Sequence, residues 1–293
     1  MEENFVTVLL QQIVNGLVIG SIYTLVALGM TLIQGTIRIP NIAHGSLYMV
    51  GGYILYTMMN TFGLGYWAAV AVTIAIMPLL GIIVERIYWP VRQKGSGISL
   101  FVAGIGILVL LNNGVRLAFG PQWKHVRSPL TGTVDFLGVT ITPQRILIIV
   151  VAIISIILLN IFLNKTLTGA TMQAVAQNQD GASLMGINIH GTSMLTFAIA
   201  TALAGLAAAL IAPVFLVHYE MGTPIVLRAM AILVVGGLGS VPGAIIGGYI
   251  LGLTEALSVL VMPSAYQDLI AFGLLITILA FKPHGLFGKE ITR

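Results

Sequence analysis

No cysteine occurs among the 293 residues. That excludes disulfides, thiol nucleophiles and Cys-ligated metal centres. Charge is nearly as scarce. Asp, Glu, Lys and Arg make up 8% of the chain, against about a quarter in ordinary soluble domains. A water-soluble chain of this length cannot cover its surface with so few charges. The five histidines (His44, His125, His190, His218 and His284) are scattered with no i, i+4 pair, so no metal site is expected. There is no G-x-x-x-x-G-K-S/T loop. The nearest string, GLFGKE (285–290), has the wrong spacing, so the chain is not expected to bind and hydrolyse ATP by the P-loop route. Neither a hydrolytic triad nor a paired-carboxylate site is visible. The start, MEENFVTVLL, has two acids and no basic segment, unlike a cleavable signal peptide.

What is present is oil. Hydrophobic residues make up 58% of the chain and the mean hydropathy is +1.03. The solvent is therefore mostly lipid. Only helices and closed barrels satisfy every backbone group in a bilayer. The apolar runs are long and unbroken, as helices require, and lack the strict alternation of a barrel. They give nine candidate spans: 8–33, 41–60, 66–84, 98–118, 146–163, 193–213, 225–240, 243–261 and 267–281. The expected fold is an all-α integral membrane protein, a polytopic bundle of about eight or nine helices in one domain (1–293). Spans 225–240 and 267–281 are short enough to be tilted, broken or re-entrant.

Lys and Arg in the loops set the orientation. Arg38, the stretch ERIYWPVRQKGSG (85–97), Lys165 and the tail with Lys282, Lys289 and Arg293 fall on one side of a nine-span chain. That side reads as cytoplasmic and includes the C-terminus. A basic pI near 9.4 then reflects these loops rather than nucleic acid. The loop 119–145 falls outside, and its VDFLGVTIT alternation suggests a small hairpin. Trp67 and Trp123 are expected near the membrane interface.

Lipid tails are as apolar as Leu, so small residues drive helix association by letting backbones approach. Gly16 and Gly20, the stripe Ala200, Ala204 and Ala208, and the pairs Gly243/Gly247 and Gly248/Gly252 predict close packing. Three polar places sit at membrane depth. In IRIPNIAHGSLYMVGGY (37–53), Pro40 ends or kinks one helix, and Asn41, His44, Gly45 and Ser46 open the next. The unpaired N–H groups of such a helix start suit a carboxylate, or simply form a capped turn. Glu255 must find a partner or face the interior; Arg228 and Arg116 are candidates. Asn112 and Asn113 suit interhelical hydrogen bonds.

One polar island interrupts the oil: KTLTGATMQAVAQNQDGASLMGINIH (165–190). Gly169 to Gln179 reads as a helix, with Met172, Val175, Ala176 and Gln179 on one face and Gln173, Gln177 and Asp180 on another. Asp180-Gly181 is expected to break it, and a short helix from Ala182 to Met185 to end at Gly186. The island has too few basic residues for a lipid-surface helix. It suits a helix-in-groove contact with another protein.

The string DGASLMG (180–186) resembles the E-A-A-x-x-x-G coupling loop of bacterial ABC importer permeases. With AVAQNQDGASLMGIN, NGLVIGSIYTLVALGMTLIQG, NIAHGSLYMVGGY, ERIYWPVR, GGLGSVPGAIIGG and KPHGLFG, nearly the whole chain resembles the LivH-type permeases of branched-chain amino-acid importers. INIHGTSML departs from the I-x-L-P that continues the general motif. The resemblance implies a type II-like importer fold and a cytoplasmic coupling loop over 165–191. Gln173, Gln177, Asp180, Gly181, Ala182, Ser183, Leu184, Met185 and Gly186 would meet the ATPases. It also implies a second permease of the LivM type, two ATP-binding subunits of the LivG and LivF type that hold the ATP, and a periplasmic or lipid-anchored binding protein. The cargo would be leucine, isoleucine or valine, moved inward through the bacterial inner membrane. From the residues themselves, Asn41, His44, Gly45, Ser46 and Glu255 are the candidate substrate path. Other readings of the residues are a permease for urea, short amides or other neutral amino acids, and a stand-alone secondary transporter.

Overall fold

The computed structural model describes residues 2–38, 41–136, 138–263, 266–282 and 285–287. Each of the nine apolar stretches is a helix in it. They are α1 (Glu2–Ile37), α2 (His44–Asn60), α3 (Tyr66–Lys94), α4 (Gly97–Phe119), α5 (Pro143–Lys165), α8 (Ile189–Ile211), α9 (Gly222–Gly236), α10 (Val241–Ser258) and α11 (Gln267–Phe281). Between α5 and α8 lie two short helices, α6 (Leu167–Gln177) and α7 (Gln179–Leu184). The expected hairpin is present as β1 (Val134–Phe136) and β2 (Val139–Ile141), antiparallel with Asp135 opposite Thr140.

Six helices (α1, α3, α4, α5, α8 and α10) are long and apolar enough to cross a membrane. α1 has 36 residues, or about 54 Å at 1.5 Å per residue, more than the ~30 Å hydrocarbon layer. α9 and α11 have 15 residues each, roughly 22 Å, so these two stretches are indeed the short ones.

Two expectations change. The basic stretch 85–97 is not a loop, because α3 continues to Lys94 through Pro78 and Pro90. Arg92 and Lys94 occupy its last turn, where the carbonyl end of a helix favours cations. The break in the island falls at Asn178, not at Asp180-Gly181, which lies inside α7. Asn178 takes an extended conformation and its Oδ1 accepts from the Gly181 N–H at 3.0 Å. That cap satisfies a free donor of the new helix and outweighs the turn tendency of Asp-Gly. Gly186, at φ +81°, ends the segment as expected. Pro40, and Lys289 and Arg293 of the tail, lie outside the described residues.

α1 is the central post, mostly buried, and packs most extensively on α10 and α8. The small residues explain why. An added Cβ at Gly16 would lie 2.9 Å from the Leu253 Cα, and one at Gly252 would run into Gly20. Ala200, Ala204 and Ala208 of α8 are fully buried. Much of α4 and α5, by contrast, stays exposed as bare apolar side chains. Exposed oil of that kind faces lipid tails or another apolar protein surface.

The bundle has two distinct ends. At one, β2 packs on the start of α1, Lys124 bridges Val217, and Trp123 stacks on His218. This is the hairpin end. At the other, the last turns of α1 and α3 meet α7. This is the island end.

Candidate docking face and translocation cavity

α6 folds back on α5 because two local devices require it. Thr166 caps α6, its Oγ1 accepting from the Gly169 N–H at 3.0 Å. Gly169 lies against the Phe162 and Leu163 backbone, where no Cβ fits. The amphipathic reading then holds. Met172 and Val175 are buried beneath α6, and Gln173, Gln177 and Asp180 are exposed. Ala182 is buried and anchors α7. Outside, Leu167 is 85% exposed, Leu184 88% and Met185 83%. Ser183 and Gly186 are exposed with them. Leu184 and Met185 are adjacent, so α7 ends in an exposed apolar tip on an otherwise polar segment.

This face is tied to the bundle through Gln179. The Arg92 Nη2 of α3 donates to Gln179 Oε1 at 2.5 Å, and Gln179 Nε2 donates to the Thr36 carbonyl of α1 at 3.2 Å. One side chain thus joins α7 to two long helices. Beside it lies a cleft of about 490 Å³ lined by Arg38, Arg92, Gln177 and Asp180. Deeper in, Glu85 is buried with its Oε1 3.4 Å from His190 Nδ1, and the His190 ring sits 4.2 Å from that of Trp89.

In the half toward the hairpin end, a second cavity of about 520 Å³ opens beneath Trp123 and His218. Glu255 of α10 lies in its wall with two partners. The Tyr23 hydroxyl of α1 donates to Glu255 Oε2 at 2.6 Å, and Arg228 Nε of α9 donates to Oε1 at 2.8 Å. Arg228 Nη2 continues to Asp268 of α11 at 2.6 Å. A buried carboxylate at this depth requires such pairing. Among the described residues no group of three or more acids and histidines is placed to hold a metal ion.

A family profile described as "Branched-chain amino acid transport system / permease component" matches residues 12–279. The chain belongs to this family. It is 35% identical over 294 residues to the high-affinity branched-chain amino acid transport system permease protein BraD of Pseudomonas aeruginosa, covering 96% of each. It is 34% identical over 305 residues to the permease protein LivH of Escherichia coli K12, covering 99% of this chain and 98% of the relative. A weaker relative, the permease protein LivM of Salmonella typhimurium, is 23% identical over 296 residues, covering 90% of this chain and 67% of that one.

Within this permease, the five residues read as a substrate path do not come together. Glu255 lines the hairpin-end cavity. Asn41, His44, Gly45 and Ser46 are buried where α2 begins and line neither cavity. α2 starts at His44, with Ala43 rather than Asn41 in the cap position and no side-chain cap bond. Asn41 Oδ1 instead accepts from the Tyr88 hydroxyl at 3.2 Å. Ser46 donates to Asn112 of α4 at 2.7 Å, the interhelical bond expected there, whereas Asn113 bonds back to Val109 of its own helix. Gly45 is a backbone contact: an added Cβ would strike the Gly222 carbonyl of α9. Of the two arginines offered to Glu255, Arg228 is its partner, and Arg116 lies over the Tyr219 ring. Tyr23, Gln179, Glu85 and the Arg228–Asp268 link were not foreseen. The available signal was the polar tip of Tyr23 on the same α1 face as Gly16 and Gly20, the face the glycines press against α10.

Proposed function

We propose that this chain is the permease half of an ABC importer for branched-chain amino acids, with its island end in the cytoplasm. Two separate ATPase subunits dock on α6 and α7 and hold the nucleotide; the chain itself supplies a path and a lever. A second permease of the LivM type completes the pore, and a periplasmic or lipid-anchored protein delivers leucine, isoleucine or valine. The C-terminus is cytoplasmic and the 119–145 loop lies outside, in a single transmembrane domain of the bacterial inner membrane. Arg38 just past α1, Arg92 and Lys94 at the end of α3, and Lys165 at the end of α5 support that orientation. The names of the relatives support the cargo.

The observation that carries the reading is the island itself. Its inner face is locked to the bundle, while Leu167, Leu184 and Met185 stand exposed on its outer face. An amphipathic helix with a free apolar edge fits a groove on a partner. Closing of the ATPase pair on ATP would draw α7 along, and Gln179 would pass the displacement to the ends of α1 and α3. The test is co-purification of the ATPases with the permease pair. Gln177→Lys with Asp180→Lys, or Leu184→Arg, is expected to cut ATPase recovery at least tenfold while permease pairing persists. Unchanged recovery in all of these variants contradicts the docking role.

A further inference from the structure

The hairpin-end cavity combines two features that one class of guest explains. Its wall is mostly apolar, with Ile22, Ile211 and Ile225 among the lining residues, yet it carries the Arg228–Glu255 pair and the Tyr23 hydroxyl. Its size, about 520 Å³, falls in the range of small-molecule sites. The pair spans both signs of charge within one salt bridge of 2.8 Å. A pair serving only to hold helices together is commonly replaced by apolar side chains at no loss of stability. Here it sits in the wall of a cavity instead.

The third member of the network matters most. Asp268 is 66% exposed, while Arg228 and Glu255 are 16% and 3% exposed. Releasing Asp268 bares a carboxylate that is already exposed, whereas releasing Glu255 would leave a buried charge unpaired. The Arg228–Asp268 link is therefore the arm that a competing carboxylate displaces at small cost. We propose that this cluster is the permease's own recognition site for the charged ends of a free aliphatic α-amino acid. The guest carboxylate takes the place of the Asp268 carboxylate on Arg228 Nη2. The guest ammonium sits against Glu255, whose orientation Tyr23 fixes. The aliphatic side chain lies on Ile22, Ile211 and Ile225. Urea and short amides carry no charge for Arg228 or Glu255 to meet, so the same cavity discriminates against them. The inference rests on the importer reading above and names the cargo site within it.

The experiment uses the assembled permease–ATPase complex in nanodiscs without the delivery protein. Binding of labelled leucine is competed with unlabelled leucine, with leucinamide (no carboxylate), with 4-methylpentanoate (no ammonium) and with urea. The wild-type complex is expected to prefer leucine at least tenfold over the other three. Arg228→Gln is expected to lose the preference over leucinamide alone, and Glu255→Gln the preference over 4-methylpentanoate alone. Asp268→Asn removes the internal competitor and is expected to tighten leucine binding several-fold. A purely structural pair would weaken all ligands alike. Arg228→Met with Glu255→Met keeps the contact apolar and controls for folding; it is expected to assemble but not to bind leucine. No leucine binding by wild type, or wild-type discrimination in the two Gln variants, overturns the inference. ATP-driven leucine uptake by the complete importer is measured in parallel. Uptake without this binding pattern sinks the cargo site alone, whereas absence of uptake sinks the importer reading.

Discussion

At the scale of single residues, glycine does much of the packing and can be tested directly. Gly45 and Gly222 lie backbone to backbone, so a methyl group on either would strike the other's carbonyl. Overpacking of this kind costs about 1–3 kcal/mol. Gly45→Ala is expected to lower the thermal midpoint of the purified complex by several degrees, read by fluorescence-detected size exclusion after heating. Gly106 of α4 has no described atom within 4 Å of its added Cβ. Gly106→Ala is therefore expected to leave the midpoint unchanged or raise it, since Ala favours a helix over Gly by up to about 1 kcal/mol. Equal losses at the two positions would contradict the packing account. Arg38 is the one non-glycine with positive φ among the described residues, at 58° just past α1. It holds a place at the helix end where glycine is usual, and it lines the island-end cleft.

At the scale of elements, α6 and α7 are two helices because Asn178 caps the second. Asn178→Ala removes that cap, at a typical cost of ~1 kcal/mol. Faster amide hydrogen exchange over 179–185, with little change in the bundle, is the expected readout. Gln179→Ala has a different signature. It cuts the link to Arg92 and Thr36 but leaves the outer face untouched. ATPase co-purification is expected to persist while uptake falls at least several-fold; loss of both together would make Gln179 a mere structural support.

These elements also show what a sequence can and cannot reveal. All nine apolar helices are legible because run length and composition alone mark them. The amphipathic face of α6 is legible from Met172 and Val175 at helical spacing. The break is misplaced because Asp-Gly is a stronger turn signal than a lone Asn, and only the Asn178–Gly181 hydrogen bond reverses that order. Glu85 carries no distinguishing signal in the sequence, since nothing local shows that His190 of α8 will lie beside it. Glu255 announces itself as an acid in oil, yet its choice of Arg228 over Arg116 depends on which helices become neighbours. The path residues of α2 are parted from Glu255 for the same reason. Sequence places them on one helix start, and only packing puts that start away from the cavity holding Glu255.

At the scale of the whole molecule, orientation comes first. The chain has no cysteine, so one introduced thiol is the only thiol. Ser183 and Thr133 are both exposed, on α7 and on the 119–145 loop respectively. Ser183→Cys is expected to react with an impermeant maleimide only in inside-out vesicles, and Thr133→Cys only in intact spheroplasts. The central claim is that force made elsewhere enters the membrane bundle through α6 and α7. The most direct measurement is leucine uptake by proteoliposomes holding the complete importer, with the delivery protein on the outside and ATP on the island side. Uptake is expected to require ATP and every subunit, and to fall at least tenfold in the Gln177→Lys, Asp180→Lys double variant. Full-rate uptake by this chain without ATPases, or an unimpaired double variant, would contradict it.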